Sequence, residues 1–230
     1  MKIFHKVRHE YTDRRDIYIF NKRIFSYYAD KKDDVLWEPI EKYIHDVLKH
    51  TKPNSKKLIV IPSDPIDAYD KKGQEDLEHY YNPHGMFDFV FVISPAEHGI
   101  SFRHGMHIIG VDKKGMYYKK ALKLIKPDII RAYGGYWAAG FATKNRITNC
   151  PIVVSVHDKR QSFLYDDILN ADKVICVSPT VVNLVKTRGV NTNKIILMYD
   201  RVDRKLFRKT NSDILDKNVY NILCVARISP

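Results

Sequence analysis

The sequence predicts an α/β protein built on a doubly wound parallel sheet. Three observations lead there. Short runs such as "LIVIP", "FDFVFVIS" and "PIVVSVH" are apolar at nearly every position rather than at alternate ones, so both faces of each strand are expected to be covered. Between them lie single stretches of helical periodicity. Glycine, proline and polar clusters punctuate the change from one pattern to the other.

The elements follow in order. Asp33 and Asp34 precede "LWEPIEKYIHDVLKH", where Leu36, Ile40, Tyr43, Ile44, Val47 and Leu48 recur at helical spacing and Pro39 suits a first turn. "LIVIP" reads as a strand and "SDPIDAYDKKG" as turns. "FDFVFVIS" and "HIIGV" are strands, with "EHGISFRHGMH" read as a solvated loop. "GMYYKKALKLIK" is a helix with Tyr118, Ala121, Leu122 and Ile125 on one face, and "PDIIRAYG" is the next strand. "YWAAGFATKNR" (helix), "PIVVSVH" (strand), "QSFLYDDILN" (helix) and "DKVICVS" (strand) continue the alternation. "PTVVNLVKTRG" then reads as a helix with Ser178 as N-cap, Pro179 at the first position and Gly189 as its stop. "NKIILMYD" is a further strand. The domains expected are a segment 1–56 packed on the main domain, a main domain 57–207, a charged linker 208–219, and 220–230 as the first strand of a second domain.

Composition narrows the function. With 230 residues and 44% hydrophobic content the chain can bury a sizeable core. No uncharged apolar run is long enough to span a bilayer, and the charged opening does not read as a signal peptide, so a cytoplasmic protein is expected. Cys150, Cys176 and Cys224 are odd in number and irregularly spaced, which suits reduced thiols. The formal charge of +12, from 39 basic and 27 acidic residues, attracts anionic partners. From Met1 to Lys32 nine Lys/Arg stand against four Asp/Glu, interleaved with aromatic rings. That mixture suits a membrane interface or a nucleic-acid backbone, and a solvated, partly buried β-hairpin is the alternative. Nucleic acid is not expected as a partner, because the charge is scattered and no recognition motif occurs.

In such sheets ligands bind at the carboxyl ends of the strands. His157 follows "PIVVSV" at such an exit and can donate to a sugar hydroxyl or phosphate oxygen there, or else be satisfied by backbone carbonyls. Gly134 and Gly135 fall where strand turns into helix, open to close ligand approach or explained by a tight turn. Neither G-x-G-x-x-G nor a P-loop is present, so no nicotinamide dinucleotide or P-loop chemistry is indicated. His98, His104 and His107 beside Glu97 lack companions at ligand-like spacing, and no metal site is expected. "DPID" is read as a turn.

Four stretches in sequence, "KPDIIRAYGGYWAAGFATKNRITNCPIVVSVHD", "ADKVICVSPTVVNLVKTRG", "NKIILMYDRVDRKLF" and "NILCVARISP", together resemble the glycosyltransferase family 4 type of GT-B enzyme from Lys126 to Pro230. The opening "RRDIYIFNKRIFSYY" looks like those of bacterial lipopolysaccharide and capsule glycosyltransferases. The resemblance implies that this is the Rossmann-like N-terminal half of a GT-B fold. It implies retaining transfer of a sugar from a nucleotide-sugar to a glycan or lipid-linked acceptor, without an obligatory metal or other cofactor, and the basic charge suits work at the inner face of the cell membrane.

On that resemblance His157 contacts the donor sugar. Arg227 stabilises charge on the leaving diphosphate. Gly134, Gly135 and Tyr136 face the cleft, with Asp158 and Arg131 as further binding residues. Arg131 stands where the family often has a histidine, Asp200-Arg201 replaces an Asn-Gly turn, and "PSDPIDAYD" replaces a glycine-rich loop. The lysine and paired glutamates that grip the donor would lie beyond Pro230, so this chain alone is expected to be inactive. The alternative is a non-catalytic acceptor- or membrane-binding module completed by a partner chain.

Overall fold

The computed structural model describes residues 36–74, 76–147, 149–200 and 220, and the backbone of three strands near the N-terminus. Those strands, β1 (Phe4–Arg8), β2 (Arg14–Ile19) and β3 (Lys22–Tyr28), form an antiparallel sheet in the order β1-β2-β3. The backbone here thus has one strand more than the hairpin given as the alternative for this segment. The backbone of β3 runs beside the turn Gln161–Phe163. The linker 208–219 and, apart from Tyr220, the strand expected over 220–230 lie outside the described residues.

The main body starts with α1 (Trp37–Leu48), whose Ile40 and Ile44 are buried as the periodicity requires. After it come β4 (Lys57–Ile61), two short helices α2 (Ile66–Asp70) and α3 (Leu77–Tyr81), and β5 (Phe89–Ser94). Next are β6 (Ile100–Arg103), β7 (Met106–Gly110), α4 (Met116–Ile125), β8 (Ile129–Tyr133) and α5 (Trp137–Lys144). The series ends with β9 (Ile152–Val156), β10 (Lys173–Cys176), α6 (Pro179–Thr187) and β11 (Ile195–Leu197).

Eight of the strands form one sheet in the order β11-β10-β9-β8-β4-β5-β7-β6. All neighbouring pairs are parallel except β6 with β7. The chain enters at β4, moves out through β5 to β7, then returns past β4 to β8 and moves out the other way. The strand order therefore reverses between β4 and β8, an arrangement compatible with a Rossmann-like fold.

Alternate residues of the strands feed two separate cores. Ile59, Ile61, Phe91, Ile93, Ile130, Ile152 and Val154 pack with Ile40 and Ile44 of α1 and with the inner faces of α4, α5 and α6. On α4 that inner face is Tyr118, Ala121, Leu122 and Ile125, all buried, as expected from their spacing. Each fully buried aliphatic side chain contributes roughly 1.5–3 kcal/mol. Leu58, Val60, Val90, Val92, Ile108 and Tyr133 point the other way, onto Ile66, Leu77 and Tyr81 of α2 and α3.

This second face is covered only in part. Val153 of β9 and Ile175 of β10 are half-buried, and neither belongs to a core cluster. Among the described residues no helix packs on them, whereas the sequence, apolar on both sides of these strands, predicts full cover.

Three local expectations are corrected. Residues 161–170 form two 3-10 turns, Gln161–Phe163 and Asp166–Asn170, instead of one helix. Leu164 and Tyr165 between them are extended, because Leu164 is buried and the Tyr165 N–H donates to the Gly135 carbonyl at 2.7 Å. The "EHGISFRHGMH" stretch is an antiparallel hairpin of β6 and β7, turned by His104 and Gly105 at φ 51° and 70°. "DPID" opens α2, whose first N–H finds a carboxylate on a distant segment. Cys176 is a buried free thiol.

Candidate functional site

The carboxyl ends of β4, β8 and β9 meet at the point where strand order reverses. At the exit of β8 the Gly134 N–H donates to the Ser155 carbonyl at 2.8 Å, so this strand end is tied to β9. Gly134 adopts φ 104°, and the space where a Cβ would stand is filled by the Tyr136 ring, with Cε1 2.5 Å away. At Gly135 a Cβ would meet Leu164 Cδ1 at 2.6 Å. The two glycines thus admit the protein's own side chains. Tyr136 is buried at the start of α5 and packs edge-on against Phe163, at 5.2 Å. Trp137 Nε1–H donates to the Ser63 carbonyl at 3.1 Å, joining the beginning of α5 to the exit of β4.

His157 is the first residue after β9 and is exposed. Its ring stacks on Tyr133 with centroids 6.1 Å apart and planes 14° from parallel. The contact follows from register: Tyr133 pairs with Ser155, so His157 is its diagonal neighbour on the same sheet face. Asp158 turns into the following loop, where its carboxylate accepts the backbone N–H of Arg160 at 2.8 Å and the guanidinium Nε at 2.9 Å. Arg160 in turn lies over the Phe163 ring at 3.9 Å. Arg227 lies outside the described residues.

Arg131 is two residues before Tyr133, on the face that α2 and α3 leave open. Its guanidinium lies 4.7 Å from the Tyr133 ring centroid, and Nε and Nη2 both donate to Ser155 Oγ at 3.3 Å. The structure therefore brings Arg131, Tyr133, Ser155 and His157 onto one face, while Gly134, Gly135, Tyr136 and Asp158 shape the loops beside it.

Two features at this end of the sheet were not read from sequence. Tyr80, 45% exposed, sits against Tyr133 at 5.5 Å. Glu97, only 4% exposed, accepts the Ile66 N–H through Oε1 at 2.8 Å, and burial pushes its carboxyl up to about 7. Near it, Arg103 bonds Asp67 at 2.8 Å and Asp70 at 2.6 Å, and His104 Nε2 meets Asp70 at 2.6 Å. Aromatic doublets and isolated glutamates are too common in sequence to mark either feature.

The histidines of the β6–β7 hairpin go separate ways. His107 Nδ1 is bonded to the Tyr43 hydroxyl at 2.9 Å and its ring stacks on Phe91; burial lowers its pKa. Among the described residues no group of three or more His, Cys, Asp or Glu could hold a metal ion, and no helix is long and apolar enough to cross a membrane. Comparison of the chain with family models, with curated proteins and with solved structures finds no match.

Proposed function

We propose that this chain is the N-terminal, acceptor-holding part of a retaining glycosyltransferase with a doubly wound, GT-B type fold. The donor is a nucleotide-sugar, and the acceptor is a lipid-linked or surface-polysaccharide glycan. One observation carries the reading: His157 stands exposed at the exit of β9, beside the reversal of strand order, with its ring plane held by Tyr133. Open α/β sheets bind ligands at that place. The motif series from Lys126 to Pro230 supplies the reaction class.

In the reaction the bond between the anomeric carbon and the diphosphate oxygen breaks. A bond to an acceptor hydroxyl oxygen forms with the same anomeric configuration, and the hydroxyl proton leaves with the diphosphate. His157, fixed by stacking, donates a hydrogen bond that orients the donor sugar. Arg227 acts electrostatically, balancing negative charge on the leaving diphosphate. On this reading the protein works in the cytoplasm at the inner membrane face, where its +12 charge is drawn to anionic lipid.

The test uses protein expressed from the complete reading frame, offered a panel of nucleotide-sugars with purified lipid-linked acceptor. Transfer from one donor is expected, lowered roughly 10- to 100-fold by His157→Ala, as for loss of one oriented hydrogen bond of about 1.5–3 kcal/mol. Absence of transfer from every donor, or a His157→Ala rate equal to wild type, overturns the proposal.

A further inference from the structure

Five arginines have described side chains, and four of these are paired with carboxylates: Arg103 with Asp67 and Asp70, Arg146 with Asp172, Arg160 with Asp158, and Arg188 with Asp166. Arg131 has none. Its protein contacts are the Ser155 hydroxyl, through Nε and Nη2, and the face of Tyr133. A guanidinium carries five N–H donors, and one hydroxyl oxygen engages only two of them. The remaining donors, including both on Nη1, have no acceptor among the described residues.

Arg131 is also partly buried, so water solvates it less than a surface arginine. A partly desolvated cation without a counter-charge is costly to the fold, and an oxyanion bound in the fork geometry relieves that cost. The surroundings suit a sugar. Tyr133 is flanked by the guanidinium, by the His157 ring and by the exposed ring of Tyr80. An exposed aromatic face next to hydrogen-bond donors stacks on the apolar face of a pyranose while the donors take its polar groups.

We infer that Arg131 binds an oxyanion carried by the acceptor saccharide, whose ring stacks on Tyr80, so that the acceptor is an acidic glycan. The inference rests on the glycosyl-transfer reading of the same site and adds the charge of the acceptor. The oxyanion is either the carboxylate of a uronic acid or the phosphate of a lipid-linked sugar.

Binding to the full chain is measured calorimetrically, without any donor, for a uronic-acid disaccharide, a short-chain prenyl-diphosphate disaccharide and a neutral disaccharide. At least one acidic ligand is expected to bind tenfold or more tightly than the neutral one, and the preference to shrink as salt rises from 0.05 to 0.5 M. Arg131→Gln is expected to abolish the preference, Arg131→Lys to keep part of it, and Tyr80→Ala to weaken all three ligands several-fold. Preference for the uronic acid identifies a carboxylate, and preference for the diphosphate identifies a phosphate.

Equal binding of acidic and neutral ligands, no binding of any, or an acidic preference that survives Arg131→Gln overturns the inference. Salt dependence in the unmutated protein stands as the test if Arg131→Gln fails to fold. An Arg131-dependent preference without sugar transfer removes the transferase reading and leaves the anion site. Transfer to neutral acceptors that Arg131→Gln does not slow does the reverse.

Discussion

The carboxylate of Glu97, buried behind β5, accepts the first backbone N–H of α2 from Ile66 at 2.8 Å. Two segments 31 residues apart in sequence are thereby joined at the strand exits. Desolvation raises the Glu97 pKa to about 7, assisted by the charges of Asp67 and Asp70 and opposed by the Ile66 hydrogen bond and by Arg103. A carboxyl raised in the folded state binds more protons there than when unfolded, so stability must fall as pH rises. The loss begins above the ordinary glutamate value of 4.5 and is complete beyond about 7. Its size is about 3 kcal/mol. Glu97→Gln keeps an acceptor for Ile66 without the charge. Calorimetric unfolding from pH 5 to 8 should show the variant gaining stability over wild type as pH increases, and parallel curves would refute the assignment.

Gly134→Ala is expected to destabilise by about 3 kcal/mol, through backbone strain at φ 104° and through a Cβ placed against the Tyr136 ring. Gly189→Ala offers the comparison. Its φ of 99° is similar but its nearest neighbour, Leu169, is 3.7 Å away, so strain alone operates and the cost is about 1–2 kcal/mol. Urea titration of both variants separates the clash from the strain, and equal costs would mean that Tyr136 moves freely aside.

Tyr118 is fully buried on α4, and its hydroxyl has no hydrogen-bond partner among the described residues. Tyr118→Phe should therefore leave stability unchanged or raise it by about 1 kcal/mol. A clear loss on urea unfolding would reveal an acceptor for that hydroxyl.

Ser178 Oγ accepts the Val181 N–H at 3.3 Å at the start of α6. Ser178→Ala should cost about 1 kcal/mol, lowering Tm by roughly 2–4 °C at this chain size. Ser178→Asp, which also accepts that hydrogen bond, should retain wild-type stability in the same melting experiment.

Elements with strong local signals were legible in the chain. The face of α4 follows from the spacing of Tyr118, Ala121, Leu122 and Ile125. The start of α6 follows from Ser178-Pro179, because a cap and a proline act within one turn. β6 was missed: Ile100–Arg103 is a short edge strand whose residues are mostly half-exposed, so it lacks the apolar run that marks the central strands. The helix expected over 161–170 failed for the opposite reason. Its periodicity is adequate, but Tyr165 is held extended by the Gly135 carbonyl, a partner 30 residues away.

The sequence by itself determined an α/β layer structure, most element positions and His157 at a strand exit, since periodicity, capping and turn chemistry act over a few residues. Tertiary structure alone decided the strand order, the ring of Tyr133 under His157, the burial of Glu97 and, among the described residues, the absence of a carboxylate paired with Arg131. Each of these is set by which strands pair and in what register, and pairing energies between similar apolar strands differ too little for local sequence to choose among them.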